Sequence, residues 1–260
     1  MPERTKIAVA GAIGRVGRHV VDVLTARGHD VVSMSRSSGV DVVTGDGLAE
    51  ALAGVQTIID AATGPSPDKD EATRFFTTAA DNLHRLGQRA GVQRLLVVSI
   101  IGIDRLTPGY GYNAAKLAHE RAALSGPIPA RILRAAQFHE FVGQLMEWGT
   151  RGEVAYVPRM RTQLVAARTV AETLADMATD PEWSGGSDRG SVPEIAGPRA
   201  ENLADMAVLL ADRRHDPVKI EVVDDPTNPD SDRIAIDALL PGAHATLAGP
   251  TFEEWLAGTS

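Results

Sequence analysis

The sequence predicts an α/β fold built on a doubly wound parallel sheet, with a less regular C-terminal part. Strand-like and helical segments alternate as far as Arg134. The first strand and first helix are joined by the spaced glycines Gly11, Gly14 and Gly17. Arg94–Ile101 (RLLVVSII) is almost wholly apolar, as a central parallel strand buried on both faces should be.

Lys6–Ala10 reads as the first strand. The helix after the glycine turn carries Val16, Val20, Val23 and Leu24 on one face and closes at Gly28. Asp30–Met34 reads as a second strand, Ser35–Gly39 as a polar turn, and Val40–Val43 as a short third strand. Asp46–Ala53 is a short helix and Val55–Ala61 a fourth strand. Asp68–Ala90 is the longest helix, with Ala72, Phe75, Ala79, Leu83, Leu86 and Ala90 along one face and Gly91 at its end. After Arg94–Ile101 come a loop at Gly102–Gly111, a helix through Leu124 that stops at Gly126-Pro127, and a strand at Ala130–Leu133. Right-handed crossovers are expected between the strands, with ligands beyond their carboxyl ends. Further on, Gln137–Trp148, Thr169–Thr179 and Glu201–Arg213 look helical, and Val154–Val157, Val192–Ala196 and Val218–Val223 strand-like. Ser184–Gly190 reads as an exposed loop and Asp224–Asp232 as a solvated acidic one with no metal-site spacing. Phe252–Leu256 reads as a short apolar turn.

At 260 residues the chain can bury a full core, and its net charge of −8 argues against nucleic acid as a main partner. No stretch approaches the roughly 18 apolar residues that cross a bilayer, and the N-terminus lacks the layout of a signal peptide. Cysteine is absent, which excludes disulfides and thiolate chemistry. The expectation is a cytoplasmic protein with a small-molecule substrate, no metal, no membrane and no nucleic acid.

A strand turning into a helix through glycines lets backbone N–H groups and a helix N-terminus approach a pyrophosphate. The turn residues Gly11, Ala12, Ile13, Gly14, Arg15, Val16 and Gly17 are therefore candidate dinucleotide ligands. The spacing is Gly-x-x-Gly-x-x-Gly. At the tip of the second strand stand Ser35, Arg36, Ser37 and Ser38, where an acidic residue would favour an unphosphorylated ribose. An arginine among hydroxyls suits a 2′-phosphate, with Arg15 as a second positive charge, so NADP(H) is expected over NAD(H).

Ser99 ends the apolar fifth strand, and Tyr112 and Lys116 stand at i and i+4 on the helix that follows. Random placement of three tyrosines and four lysines would produce about 0.05 Tyr-x-x-x-Lys pairs. A phenol titrates near pH ~10, and an adjacent ammonium with an oxidised nicotinamide would lower it toward useful acid–base work. Tyr112 would then pass a proton to a substrate oxygen, Ser99 would hold that oxygen, and Lys116 would also bind the nicotinamide ribose. Tyr110 reads as a loop or lid aromatic. His139 follows the sixth strand and is a candidate substrate contact. Phe138, with Phe141, Met146 and Trp148, suits core packing or an apolar substrate wall.

These residues resemble the short-chain dehydrogenase/reductase superfamily, and most closely its atypical NmrA-like NAD(P)-binding branch. The matching pieces are Gly11/Gly14/Gly17, Arg36, Ser99, and Tyr112 with Lys116 at the family's 13-residue interval from Ser99. GDGLAEALAGV (Gly45–Val55), Asn82, ILRAAQFHEF (Ile132–Phe141) and EIAGP (Glu194–Pro198) fit the branch. The resemblance implies one Rossmann-type domain over residues 1–260, with a small C-terminal substrate lobe from about 137–157 and 181–260. It also implies that Asp46 lies near the adenine and that Ala61, Ala62 and Thr63 line the pyrophosphate–ribose side. The implied activity is NADP(H)-dependent reduction of a small carbonyl or similarly reducible compound. The alternative is a non-catalytic NADP(H)-sensing regulator, since many proteins of the branch lack the Tyr–Lys pair. A third reading, transient oxidation as in sugar-nucleotide epimerases, fits the small lobe less well. Homodimers are common in the superfamily. Ile13 departs from the family's usual threonine, and DAATGP replaces its Asn-Asn-Ala-Gly segment.

Overall fold

Lys6–Ala10 forms strand β1, whose last four side chains are fully buried, so both faces of the sheet are covered from the first strand on. A computed structural model of the chain describes residues 4–182 and 192–258. The expected loop Ser184–Gly190 lies outside the described residues. Two compact units are present. One draws on the described residues of Met1–Ser99, Pro108–Arg134 and Val170–Val192, the other on those of Ile100–Thr107, Ala135–Thr169 and Pro193–Ser260.

In the first unit β1 is followed by α1 (Gly17–Ala26), β2 (Asp30–Met34), α2 (Leu48–Ala51), β3 (Thr57–Asp60), α3 (Lys69–Ala90), β4 (Arg94–Ile100), α4 (Gly111–Ser125) and β5 (Ala130–Ala135). The strands are ordered β5-β4-β3-β1-β2, and β2, β1, β3 and β4 run parallel, which brings their carboxyl ends to one edge. Ala8, Ala10, Met34, Ile58, Leu95, Val97 and Ile132 share a core cluster with Leu83 of α3 and Ala123 of α4. Asp68 caps α3 by accepting the N–H groups of Asp70 and Glu71, both at 3.0 Å. Along α3 the buried phenylalanine is Phe76, and Phe75 is only half-buried.

The expected strand at Val40–Val43 is instead a turn. Asp41 Oδ1 accepts the N–H groups of Val43 (2.7 Å) and Thr44 (3.2 Å). Asn82 Nδ2 donates to the carbonyls of Val42 (3.0 Å) and Val43 (2.8 Å). Side chains thus satisfy backbone groups that a strand would have paired, and local turn chemistry outweighs the β-branched run. The helix expected at Asp46–Ala53 shortens to α2, because Gly47 enters it left-handed at φ 66°.

The second unit holds α5 (His139–Gly149), β6 (Thr150–Arg151), β7 (Val154–Pro158) and β8 (Arg161–Thr162). The chain passes through α6 (Ala167–Thr179) before returning to the second unit at β9 (Glu194–Ala196). Then come β10 (Glu201–Asn202), α7 (Leu203–Arg214), β11 (Lys219–Val223), α8 (Ser231–Ile236), β12 (Thr246–Leu247) and α9 (Phe252–Gly258). Its core gathers Val142, Met146, Val157, Leu203, Met206, Leu210, Phe252 and Leu256. The apolar stretch at 252–256 is therefore a helix anchored in a core. The acidic segment Asp224–Asp232 is not wholly solvated either. Asp230 is buried, and its carboxylate accepts the N–H (2.7 Å) and hydroxyl (3.0 Å) of Thr107. Among the described residues no helix is long and apolar enough to cross a membrane, and no cluster has metal-ligand spacing.

Candidate functional site

The carboxyl end of β1 makes the first corner. Gly11 turns at φ 72°, and its N–H and that of Ala12 both donate to the Met34 carbonyl, at 3.1 and 3.3 Å. A Cβ on Gly11 would lie 2.7 Å from the Ala61 carbonyl oxygen and 2.8 Å from Ala62 Cα. Only glycine therefore lets this turn lie against the end of β3. A Cβ on Gly17 would collide with the Gly11 carbonyl. No side chain caps α1 and no acidic residue stands in its first turn, which favours an anion there, although the Arg18 N–H already donates to the Gly14 carbonyl at 3.1 Å. The corner fits a pyrophosphate. Gly11, Ala12, Gly14, Arg15, Val16 and Gly17 belong to it, with Ala61 and Ala62 alongside, whereas Ile13 points outward, 70% exposed.

At the end of β2 the chain makes a 3-10 turn, Arg36–Ser38. Ser35 caps it by accepting the Ser38 N–H at 3.2 Å, and Gly39 closes it left-handed. Ser35 Oγ and Ser37 Oγ stand 2.9 Å apart, leaving Arg36 exposed at the tip. Arg36, Gly39, Val40, Asp41 and Asp46 line a hollow of about 280 Å³. The residues expected at the adenosine end, Ser35, Arg36, Ser37 and Asp46, are thus gathered at one place. Asp46 holds the turn, accepting the Thr44 hydroxyl at 2.7 Å.

Near the end of β4, the Ser99 hydroxyl is buried and has no hydrogen-bond partner among the described residues. An orphaned buried hydroxyl is unfavourable by about 1–3 kcal/mol, which is a reason to look for a ligand atom that would meet it. One residue earlier, the Val98 carbonyl accepts Lys116 Nζ at 2.8 Å. Lys116 is almost fully enclosed, 5% exposed, with Nζ 4.3 Å above the Phe76 ring. Tyr112, a turn earlier on α4, meets the same ring edge-on, centroids 5.8 Å apart. Phe76 therefore organises the α4 face that carries both residues.

Burial shapes the two titrations. It pulls the Lys116 ammonium down to about 8, against the Asp60 and Glu120 carboxylates, which raise it. Burial pushes the Tyr112 phenol up to about 12, opposite to the lowering expected from its neighbouring lysine. Desolvation dominates because Nζ is directed to Val98 and to His119. The resting phenol is protonated, as a proton donor requires.

The sequence reading did not single out Asp60 and His119. His119 Nδ1 lies 2.9 Å from Lys116 Nζ, and His119 Nε2 lies 3.0 Å from Asp60 Oδ2. Asp60 Oδ1 accepts the Ala62 N–H at 3.0 Å. All three side chains are at most 5% exposed. Burial, and the Lys116 charge after it, push the imidazole below its ordinary range, so His119 is neutral. Burial alone would raise Asp60, but the His119 hydrogen bond, then the Ala62 N–H and the Lys116 charge, hold the carboxyl below its usual range. The available signals were an acid ending the apolar strand TIID and a histidine three residues after the lysine.

His139, a candidate substrate contact, is fully enclosed in the second unit. It packs against Phe252 and Trp255, with centroids 5.4 and 5.3 Å away, and Nε2 donates to the Pro250 carbonyl at 3.1 Å. Burial pulls it down to about 4, so it is a neutral core histidine. Phe138 is half-buried and bridges to Val165. Met146 of the aromatic stretch is core, but Trp148 is 56% exposed.

A glycine corner on a parallel sheet, with a phosphate-suited turn at the next strand end, defines a Rossmann-type dinucleotide-binding fold. Within that class the chain belongs to the NAD(P)H-binding family, whose profile matches residues 11–181. Over 199 residues the chain is 28% identical to the dTDP-4-dehydrorhamnose reductase of Mycolicibacterium smegmatis, covering 69% of this chain and 57% of that protein. The chain thus spans under two thirds of that relative's length. MoeE5 in complex with UDP-glucuronic acid and NAD superimposes with a TM-score of 0.71 at 20% identity, over 97% of this chain and 96% of that one. The dTDP-4-dehydrorhamnose reductase of Bacillus anthracis in complex with NADP superimposes with a TM-score of 0.67 at 14% identity, over 97% of each chain. At such identities these structures establish the fold alone.

Proposed function

We propose that the chain is an NADP(H)-dependent reductase of a small carbonyl compound, with Ser99, Tyr112 and Lys116 as its reacting groups. The observation that carries this reading is the join at Val98-Ser99. There one residue's carbonyl anchors the lysine and the next presents an orphaned hydroxyl. Bound NADP(H) would supply the hydride. The corner from Gly11 to Gly17, with Ala61, Ala62 and Thr63, would hold the pyrophosphate and ribose, and Asp46 would lie by the adenine. Arg36 with Ser35 and Ser37 would take the 2′-phosphate, which favours NADP(H) over NAD(H). Ser99 Oγ would donate to the substrate oxygen, and the protonated Tyr112 would pass its proton to that oxygen. Lys116, held by Val98 and His119 in the resting chain, would bind the nicotinamide ribose. The relative's name, a reductase, supports the direction.

The test is fluorescence titration with NADPH and NADH, together with a hydride-consumption screen over a panel of carbonyl compounds. NADPH should bind more tightly, and Arg36→Ser should erase most of that preference. Tyr112→Phe should lower kcat by about 10²–10⁴-fold while NADPH affinity stays within about twofold. An unchanged kcat in Tyr112→Phe removes the mechanism. The engagement of Lys116 by Val98 and His119 favours one second reading, an NADP(H)-responsive regulator without turnover. That reading predicts binding that depends on cofactor redox state and no hydride consumption on any member of the panel.

A further inference from the structure

A buried ammonium needs a counter-charge. On α4, Glu120 is already spanned by Arg134 of β5, with bonds of 2.9 and 2.8 Å, and Tyr112 is a protonated phenol. From α3 comes the Phe76 ring. From β4 come the uncharged Val98 carbonyl and Ser99 hydroxyl. Among the described residues Asp60, at the end of β3, is the remaining charge acting on Lys116, and its hydrogen-bonded link to Nζ runs through His119.

We propose that Asp60 and His119 are positioning residues for Lys116. The carboxylate, acting through a neutral imidazole, is the counter-ion that keeps the lysine an ammonium aimed at the Val98 carbonyl. The direction of each bond fixes the roles. Ionised Asp60 only accepts, so Nε2 carries the imidazole proton, and the bare Nδ1 accepts from Nζ. Stacking on Phe76, with centroids 4.7 Å apart and planes at 17°, holds the ring in the one orientation that serves both ends. Asp60→Asn would remove the charge. If the Asn oxygen kept the Ala62 N–H, the amide N–H would face Nε2, forcing the proton onto Nδ1 and expelling the ammonium. The consequence for turnover rests on the function proposed above, but the electrostatic claim does not.

The experiment is a pH titration of the whole chain, without cofactor, labelled with ε-¹³C lysine and followed by NMR. The four lysines, Lys6, Lys69, Lys116 and Lys219, make assignment by substitution direct. Lys116 should titrate near pH 8 in the native chain. In Asp60→Asn and in His119→Phe the midpoint should fall by about one pH unit or more. In His119→Gln, whose amide can donate to Asp60 and accept from Nζ, it should stay within about half a unit of native. A folded Asp60→Asn chain with the native midpoint overturns the proposal. If that variant does not fold, equal midpoints in His119→Gln and His119→Phe overturn it instead. Where a turned-over carbonyl is found, the alkaline limb of kcat should move with the NMR midpoint. Shifted midpoints without turnover on any carbonyl support the relay and overturn the reductase reading.

Discussion

Helix α4 buries two charges within about one turn of each other and neutralises them differently. Glu120 meets Arg134 directly, through two parallel hydrogen bonds of 2.9 and 2.8 Å. Lys116 meets Asp60 only through His119. The direct pair joins two planar groups whose geometry matches and one of which cannot lose its proton, so it acts as a fixed structural tie. The relayed pair joins a point charge to a carboxylate through a group that can be protonated on either nitrogen. Its lysine sits near the edge of deprotonation, pulled down to about 8. Matched partners give rigidity, and a mediated pair leaves an ammonium adjustable beside the orphaned Ser99 hydroxyl.

The largest expected effect tests the tie. Arg134→Met strands the Glu120 carboxylate and should remove about 3–5 kcal/mol of stability in urea unfolding at pH 7. The double variant with Glu120→Leu should recover more than half of that loss. A double variant no better than the single would show that the pair is not what Arg134 contributes. Next comes the adjustable side. Lys116 is depressed in the folded chain, so between about pH 8 and its unfolded value of 10.5 the unfolded chain binds more protons, and stability attributable to this residue rises with pH. The stability of the native chain relative to Lys116→Met should therefore climb across that window, by at most about 3 kcal/mol. A difference that stays flat with pH would mean that Lys116 is not depressed. The smallest effect calibrates both: the surface pair Arg27–Asp176, at 2.7 Å, has both side chains at least 36% exposed. Asp176→Asn should shift stability by under about 1 kcal/mol, and less in high salt. A larger shift would mean that burial does not separate the three pairs.

What was legible in the sequence was local. The glycine corner, the apolar run of β4, and the helical spacing of Tyr112 and Lys116 each occupy a few neighbouring residues, and each forms an element close to its expected bounds. What was not legible depended on groups brought together from a distance. Asp60 and His119 are 59 positions apart, and nothing in either neighbourhood names the other. The run Val40–Val43 has strand character, but it is held as a turn by Asp41 within it and by Asn82 from α3. The direction of the Tyr112 shift required knowing that the phenol is half-buried and that the lysine is directed elsewhere. His139 follows a strand end where ligands gather, yet its ring completes a core with Phe252 and Trp255. Sequence position could not distinguish a cleft-facing side chain from a packed one.

One carboxylate bolts two parts of the candidate site together. An oxygen of Asp60 grips the backbone that abuts Gly11, and its twin grips the imidazole beside the lysine. The Ala62 backbone and the His119 imidazole that receives Nζ thereby share one buried carboxylate. A substitution at this carboxylate therefore disturbs the Ala62 turn and the His119 contact together.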